Sequence, residues 1–142
     1  MAKVADLLHH KSPEVWSIAP DEPVLAAIQM MADRNVGALC VVKGGALVGV
    51  ISERDYARKV VLRGRSSAET EVWEIMSSPV ITVSPEDSIK TCQLLMTERK
   101  IRHLPVLSDG RLVGMLSIGD LVRRIIEEQQ LELEHMRQYI AS

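Results

Sequence analysis

Two serine–aspartate pairs, Ser52/Asp55 and Ser117/Asp120, are the residues whose types and spacing point to chemistry. Each pair follows a glycine and two apolar residues: Gly49-Val50-Ile51-Ser52 in one case, Gly114-Met115-Leu116-Ser117 in the other. A serine that ends a strand, with an acid three residues on, is first of all a helix capping box. Each side chain there satisfies a free backbone N–H. The same arrangement suits a ligand. A helix N-terminus with a hydroxyl attracts phosphate, and a carboxylate accepts from the paired hydroxyls of a ribose. The two roles are compatible, because an aspartate can cap and still bind.

Catalytic patterns fare poorly beside these pairs. Ser117 stands between Gly114 and Gly119, but a nucleophile elbow needs the first glycine two residues before the serine. No Gly-x-x-x-x-Gly-Lys-Ser/Thr string is present to hold phosphate in the P-loop manner. His9, His10, His103 and His135 are scattered, without cysteine or carboxylate at a metal spacing, and read as incidental surface residues. Met30, Met31, Met96 and Met115 read as core filling. Independent catalysis is not expected.

What positions the two pairs is an internal repeat. A shift of 65 residues, from Gly49 to Gly114, keeps glycine, serine and aspartate in register. Extended outward without a gap, it also matches Pro20 with Pro85, Met31 with Met96, Leu39 with Leu104, Val41 with Val106 and Gly45 with Gly110. One supersecondary unit is therefore used twice, each copy needing a neighbour to cover its apolar face. In the first copy, Val15 to Ile18 reads as a strand and Ala19 to Pro23 as a turn. Val24, Ala27, Ile28 and Met31 then recur at helical spacing, to about Arg34. Leu39 to Val42 and Leu47 to Ile51 are hairpin strands around Lys43-Gly44-Gly45. Ser52 starts a helix that runs through Tyr56, Val60 and Val61 to Gly64.

The second copy repeats each step. Val80 to Val83 is a strand, and Ile89, Cys92, Leu95 and Met96 form an inner helix face. Leu104 to Leu107 and Leu112 to Leu116 are hairpin strands around Ser108-Asp109-Gly110. A helical turn at Val4 to Leu8 has a counterpart at Val72 to Met76, at the larger shift of 68, so three extra residues fall around His9-His10-Lys11. The last helix breaks the symmetry. It begins near Ile118 and runs to about Tyr139, with Leu121, Ile125 and Ile126 on the core face. Leu133, Met136 and Ile140 continue an apolar stripe that suggests a partner subunit.

Composition bounds the rest. The 142 residues are 46% apolar and 25% charged, as in a globular domain, with a net charge of −2. No basic stripe with interleaved aromatics is present, so nucleic acid is a poor partner. Apolar runs fall far short of a bilayer span, which argues against a membrane. The start of the chain lacks the pattern of a secretory signal or a transit peptide. Cys40 and Cys92 fall at inward positions, one in a strand and one on a helix, which suits a reducing cytoplasm.

The pattern strand, helix, hairpin ending in Gly-h-h-Ser-x-x-Asp, helix (h apolar), used twice, resembles the cystathionine-β-synthase (CBS) domain pair, or Bateman module. Ile75-Met76-Ser77-Ser78-Pro79-Val80, Thr82-Val83-Ser84-Pro85 and Arg102-His103-Leu104-Pro105-Val106 carry the likeness. The stretch Glu53-Arg54-Asp55-Tyr56-Ala57-Arg58-Lys59 with Gly64-Arg65-Ser66-Ser67 is similar to stand-alone CBS-pair proteins. The resemblance implies an α/β (α+β) fold of tandem repeats, each β-α-β-β-α, packed with pseudo-twofold symmetry. Repeat 1 would span 1–66, and repeat 2, with the extended C-terminal helix, 67–142. It further implies two clefts for an adenosine-containing ligand: AMP first, or ADP, ATP, NAD(H) or S-adenosylmethionine, with no metal.

Carried over by position, one cleft joins Ser117 and Asp120 to an adenine wall of Val15, Trp16, Ser17, Val36 and Gly37, with Arg102 and His103 toward phosphate. The other joins Ser52 and Asp55 to Ser78, Pro79, Val80, Ile101 and Arg102. Arg54, Arg58 and Arg65 are further phosphate candidates. Gly37 and Ala38 stand where Arg102 and His103 stand in the second copy, so unequal affinities are expected. The reading is a regulatory sensor, homodimeric, that passes ligand state to an unidentified protein. The competing readings are a scaffold with no physiological nucleotide, and metal or nucleic acid in the same clefts.

Overall fold

The computed structural model describes residues 2–9, 11 and 14–141. His10 lies outside the described residues. The chain forms two compact units, one of Glu14–Thr82 and the other of Met1–Pro13 with Val83–Ser142.

In the first unit, β1 (Ser17–Ile18) pairs parallel with β2 (Ala38–Lys43), which pairs antiparallel with β3 (Ala46–Ser52). Helix α2 (Val24–Arg34) connects β1 to β2 and ends on Asn35 in the left-handed conformation, φ 55°. The β2–β3 turn needs positive φ at both central residues, and Gly44 and Gly45 provide it at 57° and 82°. After β3 come α3 (Glu53–Tyr56), a π-helical stretch (Ala57–Val61) and a turn to Gly64. The single α-helix expected there thus changes its winding at Ala57. Helix α4 (Val72–Ile75) completes the unit.

The second unit repeats this with α1 (Val4–Leu8), α5 (Ile89–Arg99), β4 (His103–Ser108), β5 (Arg111–Ser117) and α6 (Ile118–Ala141). The buried residues match at the same shift. Ile18, Val24, Met31, Leu39, Val41 and Ile51 in one unit correspond to Val83, Ile89, Met96, Leu104, Val106 and Leu116 in the other. Burial of these aliphatic faces, at about 25 cal/mol per Å² of apolar surface, is what holds each unit together.

One expected strand is missing for an identifiable reason. Val80 to Val83 forms no strand, and Val83 alone bridges Val106. Its N–H donates to the Pro105 carbonyl at 3.1 Å, and its carbonyl accepts from Leu107 N–H at 2.9 Å. In a parallel ladder the next bond would come from residue 105 to the Ile81 carbonyl, but proline has no N–H to give. The equivalent position in the first unit is Cys40, whose N–H donates to the Trp16 carbonyl at 3.2 Å. That one donor makes β1 a strand. Even so, β1 covers only Ser17–Ile18, shorter than the expected Val15 to Ile18.

The compact units do not follow the division at 66/67. Helix α4, from the head of the second copy, buries Val72 and Ile75 in the core of the first unit. Val72 and Trp73 donate to the Glu22 and Pro20 carbonyls at 2.9 and 3.0 Å. Helix α1, from the head of the first copy, does the same in the second unit, where Val4 and Ala5 donate to Asp87 and Pro85 at 2.8 and 2.9 Å. These heads are too short to stand alone, so each takes its place by packing.

The exchange explains the repeated glycine. A Cβ at Gly49 would collide with the Met76 sulfur and come within 3.2 Å of the Ser77 carbonyl. A Cβ at Gly114 would stand 2.5 Å from Leu8 Cδ2. Gly114→Val is therefore expected to destabilise by about 1–3 kcal/mol through overpacking. The check is a urea denaturation midpoint that falls at unchanged slope.

Helix α6 departs from expectation on its core face. Leu121 is buried and Ile125 half-buried, but Ile126 is 48% exposed, because the unit ends before it.

Candidate nucleotide site

In the first unit the Ser-x-x-Asp box is complete. Ser52 N–H donates to Asp55 Oδ2 at 3.0 Å, and Asp55 N–H donates to Ser52 Oγ at 3.1 Å. The serine hydroxyl also donates to Oδ2, at 3.0 Å. The sheet holds this box beside the start of β2, since Ser52 is the register partner of Ala38. Glu53 N–H donates to the Gly37 carbonyl at 3.0 Å. Lys59, one helical turn beyond Asp55, reaches back to Oδ1 at 3.2 Å and donates to the Ile75 carbonyl at 2.9 Å.

The second unit builds the same box on β5 and α6. Ser117 N–H donates to Asp120 Oδ2 at 2.8 Å, and Asp120 N–H to Ser117 Oγ at 3.2 Å. Ser117 is the register partner of His103, and Ile118 N–H donates to the Arg102 carbonyl at 2.8 Å. Here the counter-cation is Lys11. Its Nζ donates to Asp120 Oδ2 at 2.7 Å and to the Met115 carbonyl at 2.6 Å. The bonds from Ser117 and Lys11 all fall on Oδ2, and Oδ1 of Asp120 makes no hydrogen bond among the described residues. Burial pushes the Asp120 carboxyl up, but the bonds from Lys11 and Ser117 and the lysine charge outweigh it, so the acid ionises below its ordinary value.

The other sequence-predicted residues distribute between the units. In the first unit Gly37, with half-buried Val36, lies beside the box, while half-buried Val15 and Trp16 and exposed Ser17 lie at β1, across β2 from Ser52. Beside Ser117 and Asp120 the second unit gathers Arg102, exposed, and His103 and Ile101, half-buried. The indole of Trp16 carries the Arg34 guanidinium 4.0 Å from its ring centroid, so one of its faces is already covered. Ser77 bridges Val50 on β3, and Ser78, Pro79 and Val80 lead on from it.

Arg54 and Arg58 are exposed and make no ion pair among the described residues. Arg65 is a different case. Its guanidinium is bonded to the Glu74 carboxylate, which ties it to α4. A hollow of about 670 Å³ opens in the first unit near the β2–β3 turn, beside Pro20, Val48, Trp73 and Met76. That is the end of the ladder away from Ser52, and none of the predicted site residues lines it.

Lys59, Lys11 and Arg34 are the residues that sequence reasoning missed. Lys59 had a signal, since it stands four residues after Asp55 on a helix. Lys11 had none, because 109 residues separate it from its partner.

The Lys11–Asp120 bond has a pH signature. A carboxyl whose folded value lies below its ordinary 3.8 stabilises the fold at pH values above 3.8. That contribution fades as pH falls through the lower folded value. Lys11→Met is expected to cost about 1–3 kcal/mol near neutrality, by leaving a half-buried carboxylate short of a partner. The gap from the parent protein should narrow as pH is lowered through that range, as read by denaturant titrations at a series of pH values.

Buried Cys40 and Cys92 carry thiols that burial pushes up to about 12 and about 11, and they are unpaired. Among the described residues, no three His, Cys, Asp or Glu side chains group as a metal site, and no helix is long and apolar enough to cross a membrane.

Comparison with known proteins agrees with this architecture. The CBS domain family model matches residues 4–62 and 72–127. The CBS domain-containing protein CBSX3, mitochondrial, of Arabidopsis thaliana is 46% identical over 125 residues, which cover 84% of this chain and 61% of that one. The chain therefore spans about three-fifths of that relative's length. A protein with CBS domains from Burkholderia ambifaria MC40-6 superposes with a TM-score of 0.87 at 46% identity, covering 90% of this chain and 96% of that one. The CBS domain pair of protein MJ0100, solved in complex with 5′-methylthioadenosine and S-adenosyl-L-methionine, superposes with a TM-score of 0.80 at 25% identity. Its match covers 90% of this chain and 98% of that one. With two matched copies and a shared fold, the chain belongs to the CBS domain family, as a tandem pair of CBS repeats.

Proposed function

We propose that this CBS pair is a regulatory module that binds adenosine-containing ligands at its two Ser-x-x-Asp boxes and acts without catalysis of its own. The observation that carries the reading is the twice-built arrangement of a carboxylate held by a capping serine at the end of a strand. In each unit it lies beside the main chain of the neighbouring strand, at Gly37 or at Arg102. Asp55 and Asp120 would accept from ribose hydroxyls, and Ser52 and Ser117 would contribute their hydroxyls. The adenine wall is assigned to the predicted residues around Trp16, Val36, Gly37, Val80 and Ile101. Arg102, His103, Arg54, Arg58 and Arg65 are the phosphate candidates.

AMP is the first ligand to test, ahead of ADP, ATP and NAD(H). S-adenosylmethionine is the alternative, supported by what the MJ0100 pair was solved with. The side chains differ, Gly37 and Ala38 against Arg102 and His103, so the two boxes are expected to bind unequally. Binding changes the module only through a difference in affinity between two of its arrangements, which a regulated partner protein then reads. The compartment proposed is the cytoplasm, on the strength of two unpaired buried thiols, and the assembly proposed is a homodimer.

A second reading is a scaffold whose boxes do nothing but cap helices. It is favoured by the bonds already present, since a lysine neutralises each carboxylate. Thermal melts with AMP, ATP, NAD and S-adenosylmethionine separate the two. A ligand at a hundredfold its dissociation constant adds about 2.7 kcal/mol, a rise of roughly 5–15 °C in Tm for a chain of this size. No response to any of the four would leave the scaffold.

A further inference from the structure

From Ile126 to Ala141 every residue of α6 is exposed. A helix end exposed along its whole length is marginal in water by itself, and a partner on its apolar side would hold it. The spacing identifies that partner. Val122, Ile126, Gln129, Leu133, Met136 and Ile140 follow one another at intervals of four, three, four, three and four. That alternation of threes and fours is the a/d pattern of a coiled-coil seam. The apolar members of the seam are exposed at 48, 48, 55, 60 and 79% along the chain.

We infer that α6 is a parallel, in-register coiled-coil helix whose occupant is the α6 of a second copy of this chain. The inference gives a geometry to the homodimer proposed above, and rests on that reading. Two observations fix the orientation. The first is Gln129, the one polar residue in the seam. In a parallel pair it meets its own counterpart, and two primary amides hydrogen-bond each other. In an antiparallel pair its position always faces Ile126, Leu133 or Ile140, which strands a buried amide.

The second observation is charge. Glu132 and Arg137 flank the seam, are exposed, and make no ion pair among the described residues. A parallel pairing sets each Glu132 against the arginine five residues on in the other helix. An antiparallel one sets Glu132 against Glu132 and Arg123 against Arg137.

The test uses the full chain. Light scattering after size exclusion should give twice 15.8 kDa for the parent protein. Leu133→Asp combined with Met136→Lys should halve that mass while the melting curve of the folded units persists. Gln129→Cys should form an interchain disulfide under mild oxidation, and Leu131→Cys, on the outer face, should not; the buried Cys40 and Cys92 stay silent. A monomeric parent overturns both the homodimer and the coil. A dimer indifferent to the seam variant overturns the coil and leaves the homodimer. A seam-dependent dimer that fails to cross-link at 129 overturns the parallel orientation.

Discussion

Replacing Asp120 by alanine is expected to weaken AMP binding at its box about ten- to a hundredfold, the loss of a charged hydrogen bond of about 1.5–3 kcal/mol. Asp55→Ala should do the same at the other box. Calorimetric titration of each variant reads both the affinity and the number of sites lost. Alanine also removes half a capping box, which by itself costs about 1 kcal/mol of stability. Asp120→Asn separates the two effects, because its amide oxygen still accepts from Ser117 N–H but carries no charge. It should keep the cap, lose only the charge pairing with Lys11, and bind less well. If both alanine variants bind AMP as the parent does, the boxes are caps alone.

The second large effect lies in the cores. Leu39 and Leu104 occupy equivalent positions in β2 and β4, and each is 0% exposed. Truncating either to alanine removes buried methyl groups and leaves a cavity that a close-packed interior fills only in part. The expected cost is about 2–5 kcal/mol. The neighbours are also equivalent: Met31 and Met96 on the helices, Val41 and Val106 along the strands, Ile51 and Leu116 across the hairpins. The two truncations should therefore cost similar amounts in denaturant titrations. A large cost at one position and almost none at the other would mean that the two copies do not share a core design.

Most of the architecture was legible because the copies check each other. An apolar run at Leu39 to Val42 gains weight when 65 residues on the same run recurs before Asp109-Gly110. The paired boxes were legible for the same reason. What escaped reading was non-local or a matter of one atom. The strand at Val80 to Val83 has the composition of its counterpart, but a missing N–H at Pro105 denies it a ladder. The heads Val4 to Leu8 and Val72 to Ile75 are visibly related, yet nothing in a periodicity says which copy each will pack against. Arg65 reads as a free cation until Glu74 is brought to it, and Lys11 reads as part of an insertion until it closes on Asp120. Ile126 has the spacing of a core residue, and whether a helix face meets its own unit or solvent depends on where the unit ends.

The proposed binding of adenosine ligands at the Ser-x-x-Asp boxes places them against named backbone amides. A ¹H–¹⁵N correlation titration of the full chain with AMP tests it most directly. Saturable shifts are expected, largest at the amides of Ser52, Asp55, Ser117 and Asp120, extending to Gly37 and to Arg102 and His103. Shifts confined to the hollow beside Trp73, or no saturable shift at any box with AMP, ATP, NAD or S-adenosylmethionine, would contradict it.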